Sequence, residues 1–362
     1  MTIDRSSRIR AIGALLLGGA GVLGAWPAQA ADSYHLEKVV TIPGGDSGWD
    51  YNSLDEAHDH IFIAHRKEGL HVYDIKAGKV IRTLAQSGGA NASALAPEFD
   101  LGIAGTTDGH VVVFRLSTLG TVARYKSDTD GFDGAAYDPV SKRFAAVGEA
   151  DEEKMQTPVL FFDAHTGKPV GSVMVDSAKV DAPRADGQGN VWMPLRDRAA
   201  LVRVDVKSMQ VLATVPLKDG CRKPSALELD NIDHLIYVGC RGDAKAPPRL
   251  QVVDAASGKE LTAVPIGHGV DEVMYDARSK LVMTANGEDG TLSVIRKRPA
   301  GRFEPVDTVH TRPLARTGVL DERSGKIYLV NARYAKAGKG DDDNRHFLPN
   351  SFSVLTYAKQ AQ

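Results

Sequence analysis

Short apolar stretches with alternating character recur along the chain, each ending near an acidic residue and followed by a polar turn and a second apolar stretch. The clearest copies are LHVYDIKAGKVIRTL (70–84), VLFFDAHTGKPVGSV (159–173), LVRVDVKSMQVLATV (201–215) and LQVVDAASGKELTAV (250–264). Looser copies are VVVFRLSTLGTVARY (111–125), LSVIRKRPAGRFEPV (292–306) and FSVLTYAKQ (352–360). A period of two is that of strands with one face toward a core, and the Gly, Ser, Thr and Lys between them suit tight turns. Upstream of each copy lies another strand pair, represented by HIFIAH, DLGIAG, RFAAVG, NVWMPL, HLIYVG, KLVMTA and KIYLVN. The recurrence of roughly 40–60 residues is that of four-stranded units whose faces are buried only when neighbours stack.

Seven such units predict an all-β fold, a seven-bladed β-propeller with four antiparallel strands per blade. The last unit lacks a fourth strand, and HLEKVVTIP (35–43) supplies a spare one. Pairing the two closes the ring and removes two exposed edges. Six or eight blades stay open, since weak blades are easily miscounted. A helical repeat fits poorly: Val, Thr, Tyr and Gly are dense and no long three-to-four-residue periodicity runs through the chain.

Residues 1–31 depart from this pattern. Arg5, Arg8 and Arg10 precede an apolar run from Ala11 to Trp26, and Ala28-Gln29-Ala30 offers the small residues of a cleavage site. The expectation is a signal peptide over 1–30 and a single propeller domain over 31–362, placed in a bacterial periplasm, with secretion second and an uncleaved anchor third. No later run is long and apolar enough to span a bilayer. Charge is balanced at 44 Lys+Arg against 46 Asp+Glu. No basic stripe with interleaved aromatics occurs, which argues against a nucleic-acid partner.

The repeats align a set of polar residues. Asp55, Asp138, Asp186, Asp230, Asp276 and Asp321 mark successive turns, and five residues before them stand Asp50, Asp133, Asp181, Ser225, Asp271 and Arg316. Blade two contributes Asn91 by pattern. First strands of a propeller line its central channel, so these positions are expected to form a ring at one mouth. Clustered carboxylates repel unless solvated, protonated or paired. A Ca²⁺ ion held by Asp50, Asn91, Asp133, Asp181 or Asp271 would satisfy them, and would sit off-axis because a ring of seven is too wide for one ion. The alternative is that each Asp caps a turn and faces water.

Loops leaving the second strands, after His65, Cys240 and Asn331, are expected on the same face. Arg222, Lys223, Arg241, Arg316 and Arg333 there suit an anionic ligand such as a carboxylate, because Arg presents paired donors. Trp49, Tyr51 and Phe132 offer apolar walls, Trp49 and Phe132 more as core residues. His268 is an alternative ligand beside Asp271. In the insertion 332–350, Lys336, Lys339, Asp341, Asp342, Asp343, Arg345 and His346 suit a lid, a partner contact or plain solvent exposure. Cys221 and Cys240 fall at adjoining ends of neighbouring antiparallel strands and are expected to form a disulfide.

IYVGCRGD, IYLVNARY and LVMTANGEDGTLSVI, with their Val-rich third strands, resemble the YVTN-type β-propeller family, within the quinoprotein-like and lactonase-like propellers. The resemblance spans roughly residues 35–360 and implies fold more than reaction. Two functions remain open. One is an exported binding propeller recognising a small anionic molecule, a cell-envelope component or a protein on the long-loop face. The other is a metal-assisted lactonase-like hydrolase or lyase, in which the ion polarises a carbonyl and a carboxylate or His moves a proton. Neither a Gly-x-Ser-x-Gly elbow nor a phosphate-binding Gly-rich loop is present.

Overall fold

The turn after each first strand is shaped by the aspartate that ends it. Asp55, Asp138, Asp230, Asp276 and Asp321 accept backbone N–H groups two or three residues further on, as from Ala57 to Asp55 at 3.1 Å and from Ser141 to Asp138 at 2.8 Å. Asp74, Asp163, Asp205 and Asp254 do the same at the turn between third and fourth strands, each binding the N–H of the third residue on. A carboxylate that bonds its own downstream backbone competes with strand continuation and reverses the chain. The acidic punctuation of the repeats is therefore structural.

The computed structural model describes residues 33–45, 47–218, 220–335 and 346–360. The expected signal peptide and Lys336, Lys339, Asp341, Asp342, Asp343 and Arg345 lie outside these residues. No helix among the described residues is long and apolar enough to cross a membrane.

Reversals at regular spacing produce seven four-stranded antiparallel sheets. Blade one runs Asn52–Asp55, His60–His65, Gly69–Asp74 and Lys79–Thr83. The first strands of blades two to seven are Ala90–Ala96, Phe132–Asp138, Arg184–Ala185, Pro224–Asp230, Val270–Asp276 and Thr317–Asp321. Each packs beside the first strand of the next blade, and the first strand of blade seven returns to that of blade one. Closure follows the expected route: Tyr34–Thr41 pairs antiparallel with Ser353–Lys359 as the outer strand of blade seven.

Second strands are almost wholly buried, whereas fourth strands such as Pro169–Val175 are largely exposed. Blades hold together face to face. Ala94, Ile103 and Val111 of blade two, for example, pack against Phe132, Phe144 and Phe162 of blade three. Each such large side chain removed from water contributes about 1.5–3 kcal/mol, which none could supply in an isolated blade. Trp49 is core, against Phe347 and Phe352 at ring-centroid distances of 5.1 and 5.4 Å. Trp192 is core as well.

Cys221 and Cys240 form a disulfide with their Cα atoms 5.2 Å apart. Cys221 lies three residues before the first strand of blade five, and Cys240 ends the second, opposite Pro224.

Candidate functional site

Several first strands begin with an irregularity at the channel mouth. Pairing slips between Ala90 and Ala92, Phe132 and Ala135, Pro224 and Ala226, and Val270 and Glu272. The unpaired residues are Asn91, Asp133 with Gly134, Ser225 and Asp271. A bulge bends its strand and re-aims the side chain at that point. In blade four the isolated pairing of Val180 with Leu195 leaves Asp181 beside it, its N–H bonded to Pro194 at 3.1 Å. Gly134 is required for close approach: a Cβ there would lie 2.6 Å from the Cα of Ala182 in the neighbouring blade.

Asp50, Asn91, Asp133, Asp181, Asp271 and Arg316 consequently converge on one cavity of about 720 Å³. Ser225 turns away and donates to the carbonyl of Val270 at 2.7 Å. Arg222 and Arg333 do not line the cavity. The Arg222 guanidinium is 3.9 Å from the Asp243 carboxylate, and Arg333 is exposed on the flank. Tyr51 lines the cavity and packs with Ala92 and Ala182 into an apolar collar. Beyond the collar, a second cavity of about 610 Å³ contains Arg184, paired with Glu228 and Glu272.

Sequence reasoning missed Arg66 and Arg196. Both occupy the position immediately after a second strand, as does Arg241, and all three line the mouth. The signal was one residue downstream of the positions chosen, His65 and Cys240. Lys179, just ahead of Asp181, was also missed.

These cations pair with the aspartates. Arg66 donates to Asp50 at 2.9 Å and Lys179 to Asp133 at 2.6 Å. Arg196 grips both oxygens of Asp181, with Nε to Oδ2 at 2.9 Å. Asp271 accepts from Arg241, stands 3.2 Å from Arg316 Nε, and lies 3.8 Å from Arg196. Surrounded by three guanidinium groups, Asp271 is held below the ordinary carboxylate range although fully buried. Burial pushes Asp181 up to about 8 against the pull of Arg196, and Asp50 up to about 6 against Arg316 and Arg66. Arg66, Lys179, Arg196, Arg241 and Arg316 face Asp50, Asp133, Asp181 and Asp271, and Asp130, Glu149 and Glu152 line the same cavity, so positive charge exceeds negative only locally, beside Asp271.

This arrangement gives the expected Ca²⁺ site no support. Among the described residues no group of three or more His, Cys, Asp or Glu side chains is arranged to hold a metal ion. Asp50, Asp133, Asp181 and Asp271 face Arg or Lys, and Asn91 alone does not make a ligand set for a hard cation. His268 bonds Asp289 at 3.1 Å outside the cavity, and His346 is exposed on a two-stranded ribbon with Tyr334–Ala335. The residues do not fit the metal-assisted hydrolase or lyase, and no step is derived through such an ion.

No family model and no curated protein matches the chain. Among solved structures it is similar to the RRP9 WD40 repeats, with a TM-score of 0.70, 10% identity, and coverage of 91% of this chain and 99% of that one. U3-55K gives a TM-score of 0.69 at 10% identity over 88% and 98%. The hydrazine synthase of Kuenenia stuttgartiensis gives 0.68 at 13% identity over 80% and 94%. At these identities the likeness shows the propeller fold and nothing more specific.

Three expectations are corrected by these findings. Membership of an exported YVTN-type, lactonase-like family is overturned, since no family model matches and the similar structures include WD40-repeat propellers. The motifs that suggested it are strand patterns that any propeller of this geometry needs. Periplasmic placement rested on the pattern of residues 1–31, which lie outside the described residues, and with RRP9 and U3-55K among the similar structures it is not carried further. The ground for excluding a nucleic-acid partner falls as well. It rested on the lack of a contiguous basic stripe, whereas folding gathers Arg66, Arg196, Arg241 and Arg316 from four blades into one mouth.

Proposed function

We propose that this chain is a binding propeller, that its recognition surface is the mouth where second strands exit, and that its ligand or partner presents a negatively charged group there. One observation carries the reading: Arg241 of blade five and Arg316 of blade seven share a single carboxylate, Asp271 of blade six, so that arc holds more positive charge than it neutralises, while Arg196 of blade four, itself paired with Asp181, stands 3.8 Å from the same carboxylate. Guanidinium groups already held in place by a carboxylate lose little side-chain freedom on meeting a second anion. The cavity of about 720 Å³ is of the size that encloses a small molecule or the tip of a partner.

Calorimetric titration with succinate provides the test. Saturable binding by the wild type should weaken by about tenfold or more in Arg241→Ala/Arg316→Ala, since a hydrogen bond to a charged group is worth about 1.5–3 kcal/mol. Arg222→Ala, outside the cavity, should bind as the wild type does. Absence of saturable wild-type binding at millimolar succinate, or equal binding by the double variant, would overturn the proposal.

A further inference from the structure

The mouth is not uniformly charged. Asp130, Glu149 and Glu152 of blade three line the same cavity, yet none enters an ion pair with another described residue. Stepping around the ring through neighbouring blades, blades six and seven lie three steps from blade three in either direction, the greatest separation a seven-membered ring allows. Arg316 of blade seven, and Arg241 reaching to Asp271 of blade six, are found on that far side. Uncompensated carboxylates thus stand across the cavity from surplus guanidinium groups.

Asn91, in blade two next to the acidic side, adds an independent sign of a ligand. It is only 6% exposed, it lines the cavity, and its Oδ1 has no hydrogen-bond partner. A buried amide without a partner costs about 1–3 kcal/mol, which a polar group of a bound ligand would recover. Asn91 thus marks an unsatisfied polar group on this side, whereas the arginine side calls for an acceptor.

Building on the anion-binding reading above, we infer that the ligand is zwitterionic: a short peptide with free termini, whose ammonium end meets Asp130, Glu149 and Glu152, whose backbone meets the Asn91 amide, and whose carboxylate meets Arg241 and Arg316. A cavity of this volume takes a peptide of a few residues. The two charged walls would orient it, and a ligand with one charge removed would leave one wall uncompensated.

Triglycine, N-acetyltriglycine and triglycine amide, titrated calorimetrically beside succinate at fixed ionic strength, test this. Triglycine should bind at least about tenfold more tightly than either capped form. Glu149→Gln/Glu152→Gln should erase the difference between triglycine and its N-acetyl form. If the N-acetyl form binds as tightly as triglycine, or if succinate binds and triglycine does not, the zwitterionic ligand is overturned and the anion site stands. Should triglycine amide bind as tightly as triglycine, or should neither triglycine nor succinate bind, the anion site itself fails and this inference with it.

Discussion

Asp181 and Asp271 are both fully buried aspartates at one mouth, and their carboxyl groups are driven in opposite directions. Removal from water raises both, but Asp271 has three guanidinium neighbours, while Asp181 has Arg196 and Lys179 set against the nearby charges of Asp133 and Asp271. The local census of charges decides the outcome, and residue type alone could not. Gly134 shows a second residue-scale constraint, because the bulge that exposes Asp133 brings the strand against Ala182 and Pro183 of the next blade. Gly134→Ala should therefore destabilise the protein by about 1–3 kcal/mol, the usual cost of overpacking, as measured by urea unfolding. Unchanged stability would mean the two blades can separate locally. The alternating pattern could not mark Gly134, because the contact that requires it lies in another blade.

At the scale of elements, the closing strand Tyr34–Thr41 is mostly exposed, with only Tyr34 fully buried within it. Its contribution is the ladder from Tyr34 opposite Lys359 to Thr41 opposite Ser353, which covers the edge of Ser353–Lys359. Deleting residues 33–42 should lower the thermal midpoint and promote association through the uncovered edge. A synthetic peptide of that sequence added in trans should restore the midpoint, and failure of the truncated protein to lose any stability would refute this role. The closing strand was readable from the sequence because blade seven is visibly one strand short. The disulfide was readable because the ends of antiparallel neighbours must meet. The bulges were not, since a single extra residue leaves no mark in an alternating pattern this short. Arg66 and Arg196 were overlooked because the alternating pattern stops at the strand end and does not mark the residue that follows it.

For the whole molecule, buried acids should dominate the alkaline side of the stability profile. Asp181 and Glu272 are 1% and 3% exposed, and burial raises each to about 8. The folded state keeps protons there that the unfolded chain releases near pH 4, so the stabilisation is full at low pH and is lost as pH rises through about 8. His65 and His71 act in the opposite sense. Burial lowers both to about 4, so their contribution is complete above 6.5 and is lost as pH falls toward 4. Between pH 6.5 and 8.5 only the acids are changing, and the thermal midpoint should fall across that interval. Glu272→Gln should flatten part of the fall. A midpoint that holds steady or rises over this range in the wild type would show that Asp181 and Glu272 are already ionised.

The repeat of alternating strands and acidic turns, by itself, determined the propeller architecture, the route of ring closure and the expected cysteine pairing, because each depends on local hydrogen bonding and strand register that the chain carries in its own order, while the count of seven blades was settled only by the folded sheets. It also placed Asp50, Asn91, Asp133, Asp181, Asp271 and Arg316 at one mouth, since equivalent positions in stacked repeats must come together. Tertiary structure alone decided what those residues face. Charges from distant parts of the chain interact only once the ring has closed and water has been excluded, and closure set guanidinium and ammonium groups where the sequence suggested a metal ion.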